Sequence, residues 1–454
     1  MGNRLEDIIA DKERIISENI EDKYLTDSLG RIKGKASYVI FPHTTEEVSE
    51  VLKYAYENEI PVTPRGAGTN LTGSTVPEQG GIILDLSKMN RILEIDYETL
   101  TATVEPGVVL QDFQKEVESK GLFYPPDPGE KKATLGGNIS TNAGGMRAVK
   151  YGVTRDYVRG LEVVLSDGKV VTLGSKNVKD SSGLSLKNLI IGSEGTLGII
   201  TKCILKLIPK PEKSVSVIIP YANLEDGIGS VIEIIHGNTG PTAIEFVERE
   251  VAKLGEDYLH IYFPFPEAKA YLLLTFDGSE ETIRENVEKT KRIVLDNKAI
   301  GFRQLSSEEA ADIWKVRGAL VTSIEAVSEQ EPVDVVVPIH KSSEFIQFVH
   351  DQEKKTGMKL IGFGHAGDGN VHISVVRGDL PAEDWIRLRD LNMSAIYDKA
   401  AELGGLTSGE HGLGLTKKKY FLKNTDENTI QMMEMIKDSL DKKHILNDKK
   451  SYIR

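Results

Sequence analysis

Three glycine-rich stretches in the first half of the chain, each beside a strand pattern, limit the fold most. The first runs Arg65-Gly66-Ala67-Gly68-Thr69-Asn70-Leu71-Thr72-Gly73-Ser74, after the short strand Ile60-Pro61-Val62-Thr63-Pro64. It is rich in backbone N–H groups, small side chains and hydroxyls, which suits a pyrophosphate. It is not the dinucleotide fingerprint of a βαβ unit. The third glycine of that motif would fall at Leu71, and a strand (Gly81-Ile82-Ile83-Leu84-Asp85-Leu86) follows where a helix would be needed. The second stretch is Ala133-Thr134-Leu135-Gly136-Gly137-Asn138-Ile139-Ser140-Thr141-Asn142-Ala143-Gly144-Gly145. The third, Gly192-Ser193-Glu194-Gly195-Thr196-Leu197-Gly198, runs into a strand that continues to Leu207. The first alone reads as a long surface turn. The first two, in one domain and each near a strand, imply an extended ligand, such as a dinucleotide, lying across glycine-lined backbone.

A chain of 454 residues is too long for one core, so two or three domains are expected. A net charge of −13, with no basic stripe to offset it, argues against nucleic acid as a partner. No apolar run approaches the roughly 18 residues of a membrane span. Arg4, Glu6, Asp7 and Asp11 break any secretory leader pattern. Cys203 is the sole cysteine, which excludes an internal disulfide and an iron–sulfur cluster held by this chain's cysteines. The expected location is cytoplasmic, with peripheral association at a membrane left open.

A second constraint lies at Gly362-Phe363-Gly364-His365-Ala366-Gly367-Asp368-Gly369-Asn370-Val371-His372, which reads as a β-hairpin. Asp368-Gly369 is a type I′ turn signal, since both central residues take positive φ. With that turn, Gly367 pairs with Asn370, Ala366 with Val371 and His365 with His372. Opposed residues share a face, with Cβ atoms about 4.5–5.5 Å apart, so the two imidazoles can grip one metal ion. The plain alternative is a glycine-rich hairpin with two unremarkable histidines. Glu410, in Gly409-Glu410-His411-Gly412, offers a third ligand. His, His and Glu with an open position suit Zn²⁺, and a similar set suits Fe²⁺ or Mn²⁺.

Elsewhere the chain alternates. Residues 1–34 read as a helical lead-in. Val39-Ile40 begins a strand, and Thr44 caps a helix with Val48, Val51, Leu52 and Ala55 on one face. Phe123 to Gly129, with three prolines including Pro126, is extended. Leu161–Leu165 and Val170–Leu173 form a hairpin about Asp167-Gly168. Pro209-Lys210-Pro211 marks a boundary. Beyond it, strands at Val215–Ile219, Ala243–Val247, Tyr271–Phe276 and Val333–Val337 alternate with helices near 225–236, 280–296, 307–327 and 341–355. An antiparallel sheet with helices on one face fits that order. Helices at 382–402 and 426–444 complete the chain.

These motifs, in this order, resemble the flavoproteins of the vanillyl-alcohol oxidase and p-cresol methylhydroxylase type. Within them the chain is similar to the FAD-linked D-2-hydroxy-acid dehydrogenase branch, which includes D-lactate, glycolate and D-2-hydroxyglutarate enzymes. The resemblance rests on Pro64–Ser74, Gly136–Gly145, Tyr151-Gly152 with Gly160–Val164, Gly192–Thr201, Gly364–His372 and Gly409–Gly412. It implies an α+β fold: a two-subdomain FAD-binding domain (35–212), an antiparallel-sheet-and-helix cap carrying substrate and metal (213–411), and a C-terminal segment (412–454) returning to the FAD domain.

The resemblance also implies roles. Arg65, Gly66, Ala67, Gly68, Thr69, Asn70, Gly73 and Ser74, with Pro64, would carry the pyrophosphate. Pro126, Gly136, Gly137, Ser140, Asn142, Gly144 and Gly145 would line the flavin, with Glu194, Gly195 and Ile200 at the adenosine or ring edge. No His occupies the first loop, so the FAD would be non-covalent. His365, His372 and Glu410 would hold a divalent metal, His411 would be the base, Asn370 would orient substrate, and Arg317 would bind the substrate carboxylate. Without the resemblance, Arg317 reads as a helix-surface charge. The 2-hydroxyglutarate enzymes place a Thr where this chain has Val321 and a Lys where it has Pro332, which favours a monocarboxylate such as D-lactate or glycolate. Electrons would pass to a quinone, a cytochrome, an iron–sulfur subunit or an electron-transfer flavoprotein; a homodimer is left open. The rival readings are a D-2-hydroxyglutarate-type dehydrogenase, a metal-dependent hydrolase if no flavin is bound, and a non-catalytic flavin-binding subunit of an electron-transfer complex.

Overall fold

The computed structural model describes residues 4–454. The chain divides into two compact units. The first takes in the chain up to Gly144, Val153–Lys210 and Glu410–Arg454; the second takes in Gly145–Gly152 and Pro211–Gly409.

The first unit holds two main sheets. In one, β1 (Ile15–Ile16), β2 (Tyr38–Ile40), β3 (Val62–Arg65) and β4 (Ile82–Asp85) lie in the order β1-β2-β4-β3. Strands β2 and β3 run parallel to β4, a pairing that needs a crossover. Helix Thr45–Glu57 supplies it between β2 and β3. The Thr44 hydroxyl accepts the Glu47 amide at its start, and Val48, Val51, Leu52 and Ala55 are buried. Among the described residues, the lead-in expected to be helical holds the short helices Arg4–Ile8 and Asp22–Leu25 and a single 3-10 turn, Lys12–Arg14, and β1 between them joins the sheet. The other sheet is antiparallel throughout: β5 (Ile92–Asp96), β6 (Thr101–Val104), β7 (Val158–Val164), β8 (Val170–Gly174) and β9 (Ile199–Lys206), in the order β5-β6-β9-β7-β8. The second glycine-rich stretch, expected as a loop, contains helix Leu135–Thr141, capped by the Thr134 hydroxyl and stopped at Asn142 with φ 51°.

The second unit is built on one seven-stranded sheet. Its strands are β10 (Lys213–Tyr221), β11 (Ala243–Glu248), β12 (Ala270–Gly278), β13 (Arg303–Gln304), β14 (Gln330–Val336), β15 (Lys359–His365) and β16 (Asn370–Val376). The order is β13-β10-β12-β11-β15-β16-β14, antiparallel as expected. Helices cover both faces, not one. Helices Arg249–Leu259, Ser307–Gly318 and Leu320–Val327 share a core with Ile218, Val247, Tyr271, Leu273, Ile361 and Phe363. Helices Leu224–His236, Glu280–Asp296, Ser342–Thr356 and Ala382–Glu402 form a separate layer against the strands. Both faces of β16 are consequently buried. Helix Arg249–Leu259 was not anticipated. Pro332, expected just before a strand, lies inside β14, where an edge position tolerates it.

The β15–β16 hairpin is real, but its register differs by two residues. His365 pairs with Asn370, Gly364 with Val371 and Phe363 with His372, so the loop is Ala366–Gly369. Of Asp368 and Gly369, only Gly369 takes a positive φ, at 80°. The Asp368 carboxylate accepts the Asn370 amide at 3.1 Å, and the His365 carbonyl accepts the Gly369 amide at 3.2 Å. This local hydrogen bonding replaces the two-residue turn.

Candidate active site

Four strands of the second unit place polar side chains on one face. Glu245 of β11 stands opposite His365 of β15, and His372 of β16 stands opposite Phe363 on one side and Asp334 of β14 on the other. His365 and His372 are therefore diagonal neighbours rather than an opposed pair. Their Nε2 atoms are 3.3 Å apart, with the rings nearly perpendicular at 87°.

Glu245 is completely buried. Its Oε1 lies 2.6 Å from His365 Nδ1, and its Oε2 takes Arg317 through Nη2 at 2.6 Å and Nε at 2.9 Å. Burial works to raise the Glu245 pKa, but the charges of His365 and Arg317 and their hydrogen bonds hold it below the usual range. A carboxylate at Nδ1 takes the hydrogen of that nitrogen, and Nε2 is the atom turned to His372. Arg317 is 8% exposed and stacks over Phe363 at 5.1 Å, so it is no helix-surface charge. Its pairing with Glu245 uses Nε and Nη2 and leaves Nη1 out of the bond.

Asp334, also fully buried, accepts the Asn370 amide at 2.8 Å, the Ser408 hydroxyl at 2.8 Å and the Gly409 amide at 3.1 Å. Its Oδ1 is 3.9 Å from His372 Nδ1. The Asn370 amide nitrogen also donates to the Val335 carbonyl at 2.9 Å, so both of these bonds use Nδ2 and neither uses Oδ1. Asp334 thus sets the chain one peptide bond before Glu410. His365 and His372 lie in the second unit, and Glu410 begins the last segment of the first. Two nitrogens about 2.05 Å from a tetrahedral zinc would be ~3.3 Å apart, so the histidine pair fits such an ion. Within the first unit, Glu410 packs where a Gly144 side chain would be, 3.3 Å from an added Cβ, and His411 Nε2 is 3.8 Å from Glu410 Oε1.

The expected cofactor residues lie in the first unit, except Gly145. Gly66, Ala67, Gly68, Thr69 and Asn70 stay at least partly exposed between buried Arg65 and buried Thr72, Gly73 and Ser74, which leaves a backbone ledge of the kind a pyrophosphate needs. Asn70 Oδ1 already accepts the amides of Thr72 and Ser74, so those two are spent on shaping the loop. Arg65 turns inward, to the carbonyls of Lys23 and Thr26. Gly137, Ser140 and Asn142 are half-exposed, while Gly136 is pressed against Pro106. Gly195 packs on Pro64, Pro126 accepts the Gln114 amide, and Ile200 is buried in β9 against Val163 of β7. The Glu194 carboxylate is taken up by Ser74, Leu413 and Gly414.

Sequence reasoning missed Glu245 and Asp334. The available signal was a lone acid within an apolar strand, as in Ala243-Ile244-Glu245-Phe246-Val247, since such a group must find partners.

Comparison with known proteins identifies the family. Residues 36–174 match the model for an FAD binding domain, and residues 210–451 match that for the C-terminal domain of FAD linked oxidases. A D-lactate dehydrogenase of Anaerostipes hadrus is 44% identical over 97% of this chain and 94% of its own length. The glycolate oxidase subunit GlcD of Bacillus subtilis is 39% identical over 98% and 97%. In fold, p-cresol methylhydroxylase with substrate bound superposes with a TM-score of 0.82 at 18% identity, covering 99% of this chain and 95% of that one. A hydrolase without flavin loses its footing, and no helix among the described residues is long and apolar enough to cross a membrane. The chain belongs to the FAD-linked oxidases, with an α+β fold of the p-cresol methylhydroxylase type.

Proposed function

We propose that this oxidoreductase converts a small D-2-hydroxy acid, D-lactate or glycolate, to the 2-oxo acid. The observation that carries the reading is the pair of Nε2 atoms 3.3 Å apart beside a buried arginine, in a chain that has an FAD-binding domain. The two relatives named above act in their titles on the same substrate class. Residues 35–212 would form the FAD domain, 213–411 the cap and 412–454 the returning segment.

When bound, FAD supplies the hydride acceptor, and a divalent ion held by His365, His372 and Glu410 (zinc, or iron or manganese) supplies charge that lowers the substrate hydroxyl pKa. Glu245 keeps His365 in the tautomer whose Nε2 can ligate. Arg317 offers Nη1 to the substrate carboxylate while Glu245 fixes the other edge of its fork. His411 takes the hydroxyl proton at a ring nitrogen. Asn370 orients substrate through Oδ1. Val321 and Pro332 bring no second cation, which favours a monocarboxylate. The flavin is held non-covalently, by the backbone and side chains of the three glycine-rich stretches other than the Glu194 side chain, whose carboxylate is spent on Ser74, Leu413 and Gly414. Buried Cys203 cannot carry electrons onward, so the acceptor is external: a quinone, a cytochrome, an iron–sulfur subunit or an electron-transfer flavoprotein.

The test is anaerobic. D-lactate or glycolate should bleach the bound flavin, and L-lactate should not. Exhaustive chelation should stop the bleaching while the yellow flavin stays on the protein. Demetallated protein reacting at the normal rate would sink the metal assignment; no bleaching by any 2-hydroxy acid would sink the function.

A further inference from the structure

We propose that Glu194 is a positioning residue that couples the first glycine-rich loop to the Glu410-His411 pair. The proposal rests on the functional reading above and concerns the first unit alone. Glu194 is buried and holds a left-handed backbone, φ 51°. Glycine would take that conformation without strain, so the carboxylate is what the position gains at that cost. It accepts the Leu413 amide at 2.9 Å and the Gly414 amide at 3.0 Å, two and three residues beyond His411, and also the Ser74 hydroxyl. Gly412 passes so close that an added Cβ would lie 3.0 Å from the carboxylate carbon.

The loop grips the same segment at other points. Asn70 Nδ2 reaches the His411 carbonyl at 3.5 Å, and the Thr72 carbonyl accepts the amides of Leu415 at 2.7 Å and Thr416 at 3.2 Å. The Glu194 carbonyl is itself held by Asn447 at 2.7 Å, and its amide by the Ser140 carbonyl at 2.8 Å. One carboxylate thus touches the loop expected to carry the pyrophosphate and the backbone that carries the expected base. Anything that shifts Ser74 shifts Leu413 and Gly414, and with them Glu410 and His411. Glu194 need not touch flavin or substrate to do this.

Glu194→Gln keeps the shape but turns an NH₂ group toward donors it cannot satisfy. The expected outcome is normal flavin content, a flavin-reduction rate lowered roughly 10²-fold with substrate affinity within about twofold, and Co²⁺ affinity in equilibrium dialysis weakened at least ~10-fold. In a His411→Asn background, the same change should cost little further rate. If Glu194→Gln does not fold, Glu194→Asp, which keeps the charge but shortens its reach, is measured in the same way. Wild-type rate and Co²⁺ affinity in a folded variant would overturn the proposal. So would loss of flavin, or failure of both variants to fold, since Glu194 would then be a cofactor or fold residue. If the wild-type flavin is reduced by no hydroxy acid, the functional reading falls, and the Co²⁺ dialysis alone decides whether Glu194 positions Glu410.

Discussion

Glu245 in the second unit and Glu194 in the first are both buried carboxylates, and they are stabilised by opposite means. Glu245 sits in mid-strand, where the ladder already occupies the backbone. Its charge is met by side chains, Arg317 and His365. Glu194 sits in a turn, and its charge is met mainly by backbone amides and one hydroxyl. A carboxylate held by side chains depends on which residues surround it; one held by amides depends on the path of the chain. The sheet site should therefore respond to changes of charge, and the loop site to changes of backbone.

The largest effect is expected at the sheet site. Glu245→Ala strands the Arg317 guanidinium in a buried position and should cost about 3–5 kcal/mol of stability, read by denaturant unfolding. Adding Arg317→Met should recover most of that loss, because no charge is left unpaired, yet flavin reduction should stay abolished. Equal instability in the single and double variants would mean that the pair is not the unit of stability.

At the loop site the matching test alters backbone without touching charge. Gly195 has φ 72°, and an added Cβ would collide with the Pro64 ring at the end of β3. Gly195→Ala should cost about 1–3 kcal/mol and lower the flavin content of the purified protein, since β3 leads into Arg65–Ser74. Unfolding and flavin absorbance both check this. An unchanged protein would show that the loop yields to an extra methyl and that the contrast between the two sites is too sharply drawn.

Much of the site was legible because its signals are local. His365 and His372 fell on one face under the wrong register because a two-residue shift preserves the alternation of a strand. Had the loop been one residue longer or shorter, the pair would have been split. Glu245 was not legible as a functional residue because its partners lie 72 and 120 positions away, and only sheet order brings them together. Helix Leu135–Thr141 was hidden by its two glycines, poor helix formers whose propensity is overridden here by a Thr cap and by burial of Leu135 and Ile139. The second helical layer escaped notice for a related reason. Strands buried on both faces lose the alternation that would have revealed one wet side, and the apolar runs of β15 and β16 fit either arrangement.

The smallest effect expected is a slope rather than a loss. Lys450 is almost wholly buried in the first unit, where its ammonium donates to the Ser74 carbonyl at 2.9 Å and Asn447 Oδ1 at 2.7 Å. Burial pushes its pKa down to about 7, against the pull of Glu194 and Glu78. The unfolded chain keeps an ordinary lysine near 10.5, so between these two values it binds more protons than the folded protein. Stability should then rise with pH across that window, by at most ~1.4 kcal/mol per pH unit. Below about pH 7 both states are protonated and the contribution is flat. Lys450→Met keeps the stem and removes the titration, so unfolding free energy measured from pH 7 to 10 should lose that slope. The same substitution at Lys437, whose ammonium is paired with Asp441 at 2.5 Å, removes a buried charge that has a carboxylate partner and should instead lower stability. A slope retained in Lys450→Met would assign it to other groups. It would also mean that the amide-rich surroundings of Glu194 accommodate a full ammonium charge, and the two buried sites would then differ less than their geometry implies.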